Sequence, residues 1–193
     1  MPVLSNIKKQ VRARYAGIAE KQTNCCCTDS SSGCSSLSVN YGNIDGYLPE
    51  ADLALGCGVP TQFAGIKKGD TVVDLGSGAG NDAFVARALT GESGLVIGID
   101  MTKEMIARAN KNLDKLGYKN VEFRLCDIEK LPVKNESADV VISNCVLNLV
   151  PDKTKAFSGI YRILKPGGRL CISDIVASGE MSPAFRQSVE LYA

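Results

Sequence analysis

The chain has 193 residues, with 22 Lys and Arg against 21 Asp and Glu, and this near-neutral balance excludes both a generic basic nucleic-acid footprint and an acidic solvating tail. A hydrophobic share of 45% beside 22% charged residues is that of a globular protein; no apolar run reaches the ~18 residues of a membrane helix, and MPVLSNIKKQVRARY lacks the apolar stretch of a signal peptide. There is no histidine, which removes Ser-His-Asp chemistry, Cys-His nucleophiles and imidazole zinc sites. The expectation is a soluble, cytoplasmic protein with neither nucleic acid nor membrane as a partner.

The first twenty residues read as a helix capped by Ser5 or Asn6, with Ile7, Val11 and Ile18 on one face. Residues 23–39, rich in Ser, Cys and Gly, have no periodicity and read as a mobile loop. A short helix is expected over 49–55. After Gly69 the text becomes regular. Strands are predicted over 71–75, 95–99, 121–125, 138–143 and 169–174. Helices are predicted over 81–89, over 103–116 (capped by Thr102, stopped by Gly117), and from Asp152 to about Leu164, where Pro166-Gly167-Gly168 ends the run. Residues 183–193 look like the opening of another helix. Strands alternating with helices at crossover length predict an α/β fold with a mainly parallel sheet of at least five strands and helices on both faces. The division is then an N-terminal helix and Cys-rich segment (1–59), a ligand-binding core (60–179) and the start of a further helix (180–193).

The loop Asp74-Leu75-Gly76-Ser77-Gly78-Ala79-Gly80 joins the first core strand to its helix. Glycines let the backbone turn sharply and approach a ligand closely. Asp100, at the end of the next strand, is placed to accept hydrogen bonds from ribose hydroxyls. A tight structural turn is the bland alternative. A dinucleotide fingerprint needs a third glycine at position 81, where Asn81 stands, and Asp74 would repel a pyrophosphate but attract a cationic sulfonium and ammonium.

This loop resembles the first motif of class I S-adenosylmethionine-dependent methyltransferases. The resemblance continues in Asp127-Ile128 after the third strand, Asn144 after the fourth, and Leu164-Lys165-Pro166-Gly167-Gly168 before the fifth. It implies a Rossmann-like core and S-adenosylmethionine as cofactor, held by Asp74, Gly76, Ser77, Gly78, Gly80, Asp100, Met101, Asp127, Ile128 and Asn144. Asp127 as a cap of the following turn, and Asn144 as a polar strand end, are the structural alternatives.

The eight cysteines are too sparse for a disulfide scaffold, and without a secretory signal they are expected to be mostly reduced thiols. Cys25, Cys26, Cys27 and Cys34 crowd together. Cys126 and Cys171 read as small core residues. Cys145 follows Asn144 at the carboxyl end of a strand and should face the crevice, while Cys57 lies in a Gly-Cys-Gly turn with a freely bendable backbone. Three soft thiolates would cage a thiophilic ion; a zinc tract drawing in Cys34 is an alternative for the amino-terminal group.

Several stretches are similar to the arsenite methyltransferase family: Thr23-Asn24 before the cysteines, Leu55-Gly56-Cys57-Gly58, Gly98-Ile99-Asp100-Met101-Thr102, and the run from Ser143-Asn144-Cys145 through Val150-Pro151-Asp152-Lys153. The resemblance implies Cys57, Cys145 and Cys26 as arsenic-binding thiols, with Cys25 and Cys27 competing for the third place. It implies arsenite or its thiol conjugate as substrate and a thiol reductant as partner. It also implies a further cysteine just beyond Val189-Glu190-Leu191-Tyr192, so the chain, ending at Ala193, is expected to lack the family's carboxyl-terminal region. The other readings are a methyltransferase of an organic small molecule, such as a quinone ring carbon, and a thiol-rich metal-binding protein without catalysis.

Overall fold

The computed structural model describes residues 2–20, 41–176 and 178–179. Cys25, Cys26, Cys27, Cys34 and the segment 183–193 lie outside them. In chain order the elements are α1 (Pro2–Glu20), a 3-10 turn (Pro49–Ala51), α2 (Pro60–Phe63), β1 (Thr71–Leu75), α3 (Asn81–Thr90), β2 (Leu95–Asp100), α4 (Lys103–Leu116), β3 (Val121–Leu125), a 3-10 turn (Ile128–Lys130), β4 (Ala138–Asn144), a 3-10 turn (Leu147–Leu149), α5 (Lys153–Ile163) and β5 (Leu164–Ser173).

The five strands form one parallel sheet in the order β3-β2-β1-β4-β5. Side chains alternate across it, and both sides are dry because helices cover them. Val72, Val96, Val140 and Ile142 point to one face and pack with Ala83, Phe84 and Ala86 of α3, Met105 of α4, and Tyr15 and Ile18 of α1. Val73, Leu75, Ile97, Ile99 and Val141 point to the other and meet Ala156, Ile160 and Ile163 of α5. Phe84, fully buried, meets Phe123 edge to face at 5.7 Å between ring centroids, a favoured aromatic geometry.

The chain leaves β1 toward β2 and β3 on one side and returns to place β4 on the other. The order therefore reverses between β1 and β4, and their carboxyl ends splay apart into a crevice, the general ligand position of such sheets. No helix among the described residues is long and apolar enough to cross a membrane.

Four local expectations are corrected. Helix α1 begins at Pro2, upstream of Ser5 and Asn6. Thr102 occupies the N-cap position of α4 without a capping side-chain bond; its N–H instead donates to Asp100 Oδ1 at 2.8 Å. β5 starts at Leu164, not at Arg169, because the sheet absorbs Pro166-Gly167-Gly168 as an irregularity: Ala138 pairs with Leu164 and Val140 with Arg169. Lys103, Glu104 and Arg108 read from the sequence as a solvated face of α4, but the Arg108 guanidinium donates to the carbonyls of Ala19 and Glu50 and ties α1 and the first 3-10 turn to the body. Cys126 and Cys171 are half-buried, packed against opposite core clusters.

Candidate active site

A cleft of about 1090 Å3, including its open mouth, lies over the carboxyl ends of β1, β2 and β4. The loop after β1 forms its floor. Gly76 adopts φ +70°, and a Cβ there would come within 2.6 Å of Val146. Gly78 adopts φ +51° and faces open space toward Met105. A side chain at either place would be strained, and one at Gly78 would fill the cradle. Gly80, expected in the same role, is turned inward: it caps α3, and a Cβ on it would meet Phe84 and Phe123 at 2.8 Å.

Asp100 closes the cradle. Its Oδ2 accepts the Gly78 N–H at 3.0 Å and its Oδ1 accepts that of Thr102. Burial raises its carboxyl above the ordinary carboxylate range, although these N–H donors pull the other way. Asp74 is buried beneath the loop, and its Oδ2 has no hydrogen-bond partner. Burial first, then the neighbouring Asp82 and Asp100 charges, push it well above the usual range. Ser77 Oγ and Asn81 Oδ1 are likewise buried without partners, and both residues line the cleft. Orphaned polar atoms of this kind carry a desolvation cost unless a ligand meets them. A cluster of acids around a small-residue cradle suits a ligand with hydroxyls and positive charge, and a nucleoside bearing a sulfonium and an ammonium fits that donor set.

Met101, Asp127 and Ile128 also line the cleft. Asp127 takes its capping role as well: Oδ1 accepts the Glu129 N–H at 2.9 Å. Its Oδ2 is 2.7 Å from Lys8 Nζ, which also reaches Glu129 at 2.6 Å. Burial pushes Asp127 up, but the Lys8 ammonium and the Glu129 N–H outweigh it and hold the carboxyl below its ordinary value. Lys8 brings α1 across the cleft, so that Val11 and Tyr15 join its wall. Nothing local in the sequence marks Lys8 for this contact, which spans 119 positions.

The thiols sit at the β4 side. Leu55, Gly56 and Cys145 line the cleft, and Cys57 is joined to Cys145 by a disulfide, with the two Cα atoms 5.9 Å apart. Cys126 and Cys171 are free thiols, and Cys57 and Cys145 are the pair that departs from the mostly reduced state expected. The fold brings the two residues within bonding range, and the pair is oxidised. Cys145 leaves β4 in a left-handed conformation, φ +52°, uncommon for a side chain with a Cβ and frequent at functional sites. Its N–H donates to the Ser173 carbonyl at 2.8 Å. The turn around Cys57 is not bent by its glycines, since neither has positive φ. They permit contact instead: a Cβ at Gly56 would lie 2.7 Å from Asn144 Nδ2, and one at Gly58 would collide with Ser173 Oγ.

Asn144 lines the cleft, yet its carboxamide is committed to this loop. Oδ1 accepts the Cys57 N–H at 3.1 Å, and Nδ2 lies 2.8 Å from the Gly58 carbonyl, 2.9 Å from Asp82 Oδ2 and 2.9 Å from Tyr41 Oη. Burial raises Asp82 to about 6, although the Asn144 and Tyr41 hydrogen bonds restrain the rise. Tyr41 is raised in turn by burial and by Asp82. Neither residue was selected by sequence motif; an acid one position into the helix after the glycine loop was the only available signal. Among the described residues no group of three or more His, Cys, Asp or Glu is placed to hold a metal ion.

Residues 66–193 match the model of a methyltransferase domain. The chain belongs to this methyltransferase-domain family. Among relatives, it is 47% identical over 184 residues to an arsenite methyltransferase of Halobacterium salinarum, covering 88% of this chain and 47% of that protein. It is 38% identical over 195 residues to the arsenite methyltransferase of Homo sapiens, covering 94% and 51%. Among solved structures it resembles CrArsM, an arsenic(III) S-adenosylmethionine methyltransferase from Chlamydomonas reinhardtii, with a TM-score of 0.64 and 42% identity over 70% of this chain and 48% of that one. The chain spans about half the length of the curated relatives it matches.

Proposed function

We propose that this domain transfers a methyl group from S-adenosylmethionine to trivalent arsenic held by the thiolates of Cys57 and Cys145. One observation carries the reading: two cysteines 88 residues apart in sequence converge beside a cleft floored by an acid-and-glycine cradle. The relatives named above support it. A third thiol from Cys26 is part of the proposal and lies outside the described residues.

When bound, S-adenosylmethionine supplies an electrophilic methyl carbon on a sulfonium. In this reading Asp100 takes the ribose hydroxyls, and the fixed orientation given to its carboxylate by two backbone N–H groups supports that role. Asp74, whose Oδ2 has no protein partner and whose carboxyl is held raised by burial, would meet a cationic group by giving up its proton. Met101 and Ile128 supply apolar wall for the adenosine. Before arsenic binds, two equivalents of a small thiol must reduce the Cys57–Cys145 bond, leaving a dithiol and one small-molecule disulfide; a reducing, cytoplasmic setting completes this reading. Trivalent arsenic, as the substrate, keeps a lone pair on the arsenic atom itself when thiolates bind it, and that atom carries no proton. The domain therefore needs no general base, and its lack of histidine is no handicap. Its contribution is positioning, which is worth ~7–11 kcal/mol when reacting atoms are held in near-attack geometry.

Titration of the reduced chain with arsenite, read by intact-mass spectrometry and calorimetry, tests the proposal. Cys57→Ser and Cys145→Ser should each weaken arsenite binding at least about tenfold, since a soft dithiolate cage is lost, while S-adenosylmethionine affinity stays within about twofold. Arsenite binding indifferent to both substitutions would remove the arsenic reading and favour an organic methyl acceptor.

A further inference from the structure

We propose that Asn144 is a positioning residue for the thiol pair: its carboxamide, anchored by Tyr41 and Asp82, holds Cys57 against Cys145. The geometry is two-sided. Oδ1 takes the N–H that opens the Cys57 residue, and Nδ2 reaches the carbonyl of Gly58 just after it, so one planar amide brackets the cysteine. A carboxamide carries its acceptor and its two-proton donor on separate atoms of one short planar group, so it can meet both partners at once. A carboxylate there would lose the donor and face Asp82; an alcohol would reach one partner.

The anchor is equally specific. Nδ2 sits 2.9 Å from Asp82 Oδ2 and 2.9 Å from Tyr41 Oη, and Tyr41 Oη lies 2.8 Å from the Gly58 carbonyl and 3.0 Å from Asp82 Oδ1. Asp82 and Tyr41 are buried, so these bonds act where water does not compete. Asn144 directly precedes Cys145, and its backbone ends β4. One sulfur is thus placed by the chain itself and the other by the neighbouring side chain. Gly56 and Gly58 complete the arrangement, since a Cβ at either would push the loop away from Asn144 and Ser173. The carboxamide is engaged by the loop and its anchors, which separates this role from the cofactor contact expected at this position. Use of the dithiol for arsenic rests on the function proposed above; the positioning does not.

The test compares the 193-residue chain with its Asn144→Ala and Tyr41→Phe variants. The first measurement is the equilibrium of the Cys57–Cys145 bridge in glutathione buffers, quantified by alkylation and peptide mass spectrometry. The second and third are arsenite affinity of the reduced chain and affinity for S-adenosylhomocysteine. Asn144→Ala should lower the bridge equilibrium constant and the arsenite affinity at least about tenfold, a larger fall than in S-adenosylhomocysteine affinity; Tyr41→Phe, which removes a hydroxyl in contact with Gly58, Asp82 and Asn144, should lower the first two by at least about threefold. A fall in the bridge constant when wild type binds no arsenite sustains the positioning and removes the arsenic reading. An unchanged bridge constant in Asn144→Ala, with or without weaker S-adenosylhomocysteine binding, overturns the proposal. If Asn144→Ala fails to fold by circular dichroism, an unchanged bridge constant in Tyr41→Phe overturns it instead.

Discussion

Gly56 and Gly58 show how a residue's function depends on what lies against it. On paper a Gly-Cys-Gly triplet reads as freedom to bend; in the fold both glycines have ordinary φ values, and what matters is the missing Cβ. Their neighbours, Asn144 and Ser173, are 87 and 116 positions from Cys57, so no local pattern could disclose them. Cys57 and Cys145 themselves were legible, one from its turn and the other from its place at a strand's carboxyl end. The partners that hold them were not. Gly58→Ala should destabilise the chain by about 1–3 kcal/mol through overpacking against Ser173 Oγ, and Ser173→Ala in the same background should restore part of the loss. Urea denaturation checks this; equal stability of Gly58→Ala and wild type would show that the loop yields freely.

Among the elements, α1 acts as a strap. Its amphipathic face was readable from Val11 and Ile18: Val11 is buried in the cleft wall, and Ile18 is half-buried against the α3 and α4 side. The charged contact that fixes it over the cleft was not readable. Lys8 bridges Asp127 and Glu129, with side chains at least 70% shielded from solvent. Burial pushes Lys8 down, but the two carboxylates outweigh it and raise its pKa, while Asp127 is held low. The sign follows from linkage. A depressed carboxyl contributes fully above its unfolded value of about 3.9 and is lost as pH falls through the folded one; a raised lysine contributes fully below about 10.4 and is lost as pH rises through its folded value. The latch should therefore hold between roughly pH 4 and pH 10. Lys8→Met should destabilise α1 docking by about 1 kcal/mol in that window, visible as faster amide exchange in α1 relative to wild type. The difference between the two proteins should shrink below about pH 4. A difference that persists undiminished at pH 3 would assign α1 docking to its apolar face alone.

For the whole molecule, the parallel sheet was legible because Val- and Ile-rich runs alternate with helices, and the crevice followed from where the strand order reverses. The fifth strand was misjudged at its start, since Pro166-Gly167-Gly168 reads as a break and only pairing with Ala138 reveals continuation. The acid-and-glycine floor was legible as a motif, but its electrostatic state was not. Three carboxyls, Asp74, Asp82 and Asp100, converge from the end of β1, the start of α3 and the end of β2, and burial raises all three. A raised carboxyl binds its proton more tightly folded than unfolded. Its effect on stability is therefore neutral below the unfolded value and unfavourable as pH climbs from there to the folded value. For Asp82, raised to about 6, the loss accumulates between about pH 4 and pH 6 and amounts to about 2–3 kcal/mol. The ligand-free chain should thus be less stable to urea at pH 7 than at pH 4.5. Asp82→Asn should reduce the drop, because Asn cannot ionise and its amide can still accept from Asn144 and donate to Tyr41. Wild-type stability that rises across this interval, or an equal drop in the variant, would place the charge of the crevice on other groups.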